Sequence, residues 1–555
     1  MAAMLRGADI VVRALERQGV ARLFTLSGNH IMSLFDALLG RPIDFVHVRH
    51  EAAAVHMADA WGRLTGEPGV AMVTGGPGHA NAVGALFTAL GAESPMLLLS
   101  GHAATWELGR GGFQELDQAA MAAPVSKASW TARSTAALAD DVARAIDVAR
   151  SGRPGPVHLS LPSDVLDATV DATLIAWPEP RQRAGIPLHA GVADAVLAAL
   201  HAAAHPVILA GPHLSRRDGR ALLRELERAT GVPAVVLESP RGVADATLGA
   251  FAEVLRRADL VVLLGKALDF TVRWLEPPVA DASAGVIALD ADAALLARVA
   301  REKGDRLLIG AVADSIGAAR TLIAHARRAA PRPGGWLAAA RAAVDERPRA
   351  WEQVASTTPG KLHPLEVFRA LSPVVARDPA TILICDGGEF AQWGQCLLKA
   401  PRRIINSVTG AIGAGLPFAL AARLHDTSAP IFAVMGDGTF GFHMAEIETA
   451  VRRKLPFVAI VGNDARWNAE SQLQRRHYGE NRMHGCELLP ARYDAVAIAL
   501  GGHGELVQSA DQLEGAIARA VASGKPAVVN VMTEGIAAPD LQRDLQRDLQ
   551  RDLEA

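Results

Sequence analysis

Short apolar runs bounded by Gly, Pro and Asn alternate with longer stretches of helical periodicity over nearly the whole chain. Continuous short runs suit strands covered on both faces, and helix-length intervals between them suit crossovers. The pattern therefore predicts an α/β protein of doubly wound parallel sheets with helices on both faces. Three regions separate. In the first, from about Met1 to Ile175, the strand candidates are Leu23–Leu26, Asp44–Val48, Gly69–Val73, Met96–Leu99 and Val157–Leu161, with helices such as Ala52–Thr65 and Ala80–Gly91 between them. The second has candidates Val207–Ala210, Ala234–Leu237, Leu260–Leu264 and Val286–Leu289. The third has Thr381–Cys385, Arg403–Ile405, Ile431–Val434, Val458–Val461 and Ala527–Val531. Linkers rich in Pro, Arg or polar residues fall at Trp177–Pro187, Pro331–Gly335 and Thr357–Lys361. The expected domains are 1–176, 188–330 and 361–535, with a helical tail over 538–555.

At both ends the periodicity is helical. Met1–Val20 reads as one amphipathic helix, broken by Arg6, Asp9, Arg13, Glu16 and Arg17, without the apolar stretch of a signal peptide. From Asp540 to Ala555 the chain repeats Asp-Leu-Gln-Arg, which puts Leu541, Leu545, Leu549 and Leu553 on one stripe. That reads as a frayed or loosely docked terminal helix, the alternative being a helix that packs on a partner subunit or over the active site.

Composition narrows the function classes. A chain of 555 residues exceeds one ordinary core. A net charge of −3 gives no reason to expect nucleic acid or an anionic membrane as partner. No apolar run is long enough to span a bilayer. Cys385, Cys396 and Cys486 show no paired spacing, which suits a reducing compartment, and the expected location is the cytoplasm.

The candidate chemistry lies at strand ends. Gly436-Asp437-Gly438 closes the apolar run Ile431–Met435, and Asn463-Asp464 closes the run Phe457–Gly462. One helix-sized segment, Thr439–Pro456, lies between them. A carboxylate beside glycines, with a neutral oxygen from the next strand, makes a site for a hard divalent cation holding a diphosphate.

Further motifs accompany this pair: Gly28-Asn29-His30-Ile31, Arg49-His50-Glu51-Ala52, Gly75-Gly76-Pro77-Gly78, Phe113-Gln114-Glu115-Leu116-Asp117-Gln118, Asp386-Gly387-Gly388-Glu389-Phe390 and Gly410-Ala411-Ile412-Gly413. Together they resemble the thiamine diphosphate-dependent enzymes of the acetolactate synthase superfamily, and within it the 2-hydroxyacyl-CoA lyases and benzaldehyde lyase. The resemblance implies a pyrimidine domain, a central domain and a diphosphate domain, in that order. It implies thiamine diphosphate and Mg2+ as cofactors, with Asp437, Asn463 and the carbonyl of Ala465 as metal ligands. Gly436 and Gly438 would admit the diphosphate, and Gly76 would lie at the cofactor. Glu51 would bond the pyrimidine ring, an apolar site favouring its protonated form. Ile412 would prop the cofactor into its bent form, and the Gly410 carbonyl would bond the aminopyrimidine. The cofactor would lie across the interface of a homodimer or a tetramer.

On the substrate side the resemblance points to His30 and Gln114 as catalytic residues. Asn29, His79, Phe390, Gln392, Trp393, Trp467, Glu470 and Gln472 are further candidates. Arg241, Lys266 and Arg273, with Arg216 and Arg217, are candidates to hold FAD, ADP or the ADP part of coenzyme A in the central domain. The expected reaction is cleavage of a 2-hydroxyacyl-CoA to formyl-CoA and an aldehyde or ketone, with the reverse acyloin-type condensation. The alternatives are a 2-oxo acid decarboxylase or carboligase of the acetolactate synthase or benzaldehyde lyase kind, and a catalytically silent binding subunit.

Overall fold

The computed structural model describes residues 3–181, 185–328, 332 and 334–540. The leucine stripe of the tail, Leu541 onward, lies outside the described residues, as does part of the first linker. Residue contacts divide the chain into two compact units: Met1–Ala184 with Leu420–His425, and Gly185–Ala419 with Asp426–Ala555.

The first unit is built on a six-stranded parallel sheet. Its order is Asp44–His47, Arg22–Thr25, Gly69–Val73, Met96–His102, Pro156–Pro162 and Ala128–Thr131. Leu97, Leu99, Val157 and Leu159 project from its inner strands onto Ile10, Leu138 and Ile146 of the covering helices. Every residue of Gly69–Val73 is buried, which is why this strand reads as an unbroken apolar run.

The second unit holds two more parallel sheets. The five-stranded one runs Ala234–Val236, Pro206–Ala210, Leu260–Leu264, Gly285–Asp290 and Leu307–Val312. The six-stranded one runs Arg402–Ile405, Ile382–Asp386, Ile431–Gly436, Phe457–Asn463, Pro526–Met532 and His503–Val507. The expected α/β class with three parallel sheets is what the chain adopts. Among the described residues no helix is long and apolar enough to cross a membrane.

Two local expectations need correction. The N-terminal segment is not one helix: Met4–Arg6 pairs antiparallel with Thr169–Asp171, and the helix begins only at Gly7. The segment after Gly436 is two short helices, Asp437–His443 and Glu446–Arg452. At their junction Ile447 and Glu448 donate to Met444 and Ala445, three residues back, and this tighter bonding interrupts the α-helix.

The first unit buries two histidines side by side. The rings of His79 and His158 lie 4.5 Å apart, and their Nδ1 atoms meet the hydroxyls of Ser100 at 2.9 Å and Ser129 at 2.8 Å. Burial pushes His79 down to about 4, with His102 adding to the effect and the Gln118 backbone opposing it. An unfolded histidine takes a proton near its ordinary value, whereas folded His79 stays neutral until the pH is much lower. Stability should therefore fall as pH drops from about 6.5 towards 4, by roughly 3 kcal/mol for a shift of this size. The melting temperature of the unmutated protein should decline between about pH 7 and pH 5, and that of His79→Asn should decline less. Parallel curves would contradict this assignment.

Candidate active site

In the C-terminal sheet the strand order reverses beside Ile382–Asp386. The chain moves outward to Arg402–Ile405 and then returns to lay Ile431–Gly436 on the other flank. A crevice opens beyond the carboxyl ends of strands at such a reversal. Here it is a cavity of about 170 Å³. Gly387–Phe390 wall it from one strand end, Gly436–Thr439 from the next, and Asp464, Arg466 and Trp467 from the third. Gln392, Gly410, Ile412 and Glu470 complete the lining named by the motifs.

Two buried oxygens at these strand ends lack donors. Asp437 is 2% exposed, and its Oδ2 has no hydrogen-bond partner. Asn463 donates from Nδ2 to the Ala491 carbonyl at 2.9 Å and to Asn530 Oδ1 at 3.1 Å. Its Oδ1 remains buried without a partner. Gly436 and Gly462 are register partners, so the two residues that follow them leave adjacent strands side by side. Burial raises the Asp437 carboxyl to about 6, against the backbone N–H groups of Gly438, Ala465 and Arg466. Burial, and then the charge of Asp437, raises Asp464 to about 8.

Buried acceptors without donors cost free energy unless something positive meets them. A hard divalent cation does so, and oxygen ligands of this kind suit magnesium. Ala465 adopts φ +59°, and its carbonyl already accepts from Leu488 N–H at 2.7 Å. A carbonyl oxygen has a second lone pair, so it can still ligate. Nothing lies within 4 Å of where a Cβ on Gly436 would stand, which leaves that backbone open to a ligand. A Cβ on Gly438 would come within 2.6 Å of the Trp467 ring, so the indole crosses the turn only because glycine is there. The residues present fit a metal-held diphosphate.

Asp386, at the end of its strand, accepts from Gly413 N–H at 3.0 Å and Gly415 N–H at 2.6 Å through one oxygen. It thereby pins the turn that carries Gly410 and Ile412 to the cavity wall.

In the first unit the strand order reverses between Arg22–Thr25 and Gly69–Val73, and the predicted residues cluster beyond those ends. Glu51 is the first residue of the helix Glu51–Thr65, whose start is capped by His50 Nδ1 accepting from Ala52 N–H at 3.1 Å. Its Oε2 accepts from Asn81 Nδ2 at 3.0 Å. Gly76, at φ +57°, donates its N–H to Gln118 Oε1 at 2.8 Å. Gln118 is anchored in turn through Nε2 to the Gly101 carbonyl at 3.0 Å and Ser160 Oγ at 2.6 Å. Gln114 also has positive φ, and its buried Oε1 has no partner. His30 is buried, stacks on Phe113 and places Nδ1 3.4 Å from Thr74 Oγ1. Burial first, and then His102, lowers its pKa, so the imidazole is neutral near pH 7.

Some candidates fall elsewhere. Trp393 is buried against Trp351, donates Nε1 to the Ala537 carbonyl at 3.0 Å and does not line the cavity. Gln472 donates to the Gly535 carbonyl at 3.0 Å. Asn29 is exposed and His79 fully buried. In the central sheet Lys266 is spent on Asp269 at 2.7 Å and the Ala267 carbonyl at 3.1 Å. Arg241 reaches Glu389 at 3.6 Å, and Arg273 is exposed. The Arg217 side chain lies outside the described residues. Asp386, Asp464 and Gln118 are the site residues to which sequence reasoning gave no role. Each lies inside a quoted motif, and the first two are polar residues ending an apolar run.

Residues 5–121 match the thiamine pyrophosphate enzyme N-terminal TPP binding domain, and residues 386–531 match the C-terminal TPP binding domain of the same enzymes. An acetolactate synthase large subunit of Mycobacterium tuberculosis is 32% identical over 544 residues, 95% of each chain. 2-Hydroxyacyl-CoA lyase 2 of Danio rerio is 31% identical, covering 95% of this chain and 91% of its own. 2-Hydroxyacyl-CoA lyase of Arabidopsis thaliana is 27% identical over 97% of both. The two matched domains are those that carry Glu51 and the Asp437 cradle. The chain belongs to the thiamine pyrophosphate enzymes, as a thiamine diphosphate-dependent enzyme related to acetolactate synthase and 2-hydroxyacyl-CoA lyase.

Proposed function

We propose that this enzyme is a carbon–carbon lyase that cleaves a 2-hydroxyacyl-CoA to formyl-CoA and an aldehyde or ketone, and runs the reverse acyloin-type condensation. His30 carries the reading. Breaking the bond beside a hydroxyl carbon requires a base for the hydroxyl proton, and a buried neutral imidazole can take it. Loss of carbon dioxide from a 2-oxo acid has no such proton to remove. Gln114, with its unpartnered Oε1, would orient the substrate beside His30. Phe390, Trp467 and Glu470 would face the substrate from the cavity wall.

Thiamine diphosphate, when bound, supplies an acidic thiazolium C–H and an electron sink for the broken bond. Asp437, Asn463 and Ala465 would hold magnesium and through it the diphosphate, with Gly436 and Gly438 leaving room. Ile412 and Gly410 would shape and bond the cofactor's rings, and Gly76 would line its pyrimidine side. Glu51, whose other oxygen is steadied by Asn81, would bond the pyrimidine. Glu51 and the Asp437 cradle belong to different compact units, which suits a homodimer whose sites each draw on two subunits, or a tetramer of such pairs. Coenzyme A would lay its phosphates along the central sheet near Arg241 and Arg273. Three free, buried cysteines suit the cytoplasm.

The acetolactate synthase relatives favour a second reading, a 2-oxo acid carboligase. Incubating cofactor-loaded protein with a panel of 2-hydroxyacyl-CoAs and with pyruvate separates the two. Formyl-CoA from a thioester supports the lyase. Acetolactate or carbon dioxide from pyruvate, without formyl-CoA from any thioester, overturns it.

A further inference from the structure

The outer edge of the five-stranded sheet carries a second cleft, of about 460 Å³. Five arginines line it. Arg220, Arg224 and Arg228 come from the helix Arg217–Thr230, Arg341 from Trp336–Asp345, and Arg403 from the edge strand Arg402–Ile405 of the neighbouring sheet. The first three recur every fourth residue and so share one helix face, where like charges destabilise each other. Two buried carboxylates answer part of this charge. Glu238 pairs with Arg220 and, at 2.5 Å, with Arg403, and Glu227 pairs with Arg341. Arg224 and Arg228 face the cleft with no ion pair among the described residues.

Two further features are those of a binding site rather than of a solvated basic face. The Arg403 side chain is only 11% exposed, and its Nε is buried with no hydrogen-bond partner. The strand Ala234–Val236 has a neighbour on one side only. Leu237 donates inward to Ala210, so by strand alternation the N–H groups of Ala234 and Val236 point outward. Ala234 gives its N–H to Glu227 at 2.8 Å, so this edge already receives one carboxylate. Val236 lines the cleft beside it.

Guanidiniums converging from two helices and a strand, with an outward backbone N–H, match the several oxygens of a phosphoryl group. The volume suits a small molecule. We propose that this arginine cleft binds a phosphorylated small molecule, at a site separate from the cofactor cavity and from the region around Arg241. The site also has a path to the chemistry. Glu238 directly precedes Ser239 and Pro240, and the strand of Arg403 leads to Asn406, all of which line the cofactor cavity. An anion in the cleft competes with Glu238 for Arg220 and Arg403, and so acts on that wall.

Titration calorimetry with inorganic diphosphate tests this. The protein is first saturated with thiamine diphosphate, so that the cofactor cradle is filled, and magnesium and ionic strength are matched in cell and syringe. One saturable diphosphate site per chain is expected. In the double variant Arg224→Ala, Arg228→Ala, both exposed positions, affinity should fall about tenfold or more with thiamine diphosphate binding unchanged. No saturable binding, or binding of equal strength in the double variant, overturns the proposal.

Discussion

Glu51→Gln should bind thiamine diphosphate as tightly as the unmutated protein and turn over at about a thousandth of its rate or less. The two outcomes separate because the substitution keeps size and hydrogen-bonding capacity while removing the acid. Glu51 opens a helix whose cap comes from His50 and not from its own side chain, so the helix start survives. Asn81 can still donate to the amide oxygen at this position. What the variant lacks is the carboxyl group proposed to bond the pyrimidine ring. Stopped-flow turnover beside cofactor titration by calorimetry checks both parts. Retained turnover would remove Glu51 from the chemistry, and lost binding would make it a structural residue.

Asp437→Ala should weaken binding of magnesium and thiamine diphosphate together, by about a hundredfold or more, since direct ligands cost at least as much as their supporting shell. The Oδ2 of Asp437 and the Oδ1 of Asn463 are both buried, and neither has a protein donor. Removing the carboxylate relieves the crowding with Asp464, so the metal-free protein should fold and melt no earlier than the unmutated one. Calorimetry of magnesium-dependent cofactor binding, with a melting curve alongside, reads both effects. Unchanged cofactor affinity would place the metal elsewhere.

Strands covered on both faces are the ones most legible in sequence. Gly69–Val73 and Leu260–Leu264 are inner strands, buried at every position, and their apolar runs begin and end where the strands do. Ala128–Thr131, Leu307–Val312 and His503–Val507 were missed, and each is the last strand of its sheet. Half-covered edges need no continuous run: Leu307–Val312 alternates half-buried and exposed positions, and His503–Val507 includes a His and a Glu. At the candidate site, Asp437 and Asn463 stand out in sequence because each ends an apolar run. The roles of Asp386 and Gln118 were not, because they rest on bonds to Gly413, Gly415 and Gly76, far off in sequence. Trp393 is a substrate-facing candidate by sequence, but only the fold decides which side of its helix meets the cavity, and it packs on Trp351.

We propose that the two matched cofactor-binding domains complete one site between subunits. Co-expressing Glu51→Gln and Asp437→Ala chains tests it most directly. A mixed dimer with shared sites has one doubly damaged site and one intact site. Random pairing should then restore about a quarter of the unmutated activity, although each variant alone is inactive. No recovery in mixed dimers shown to form would contradict the claim and place each complete site within a single chain.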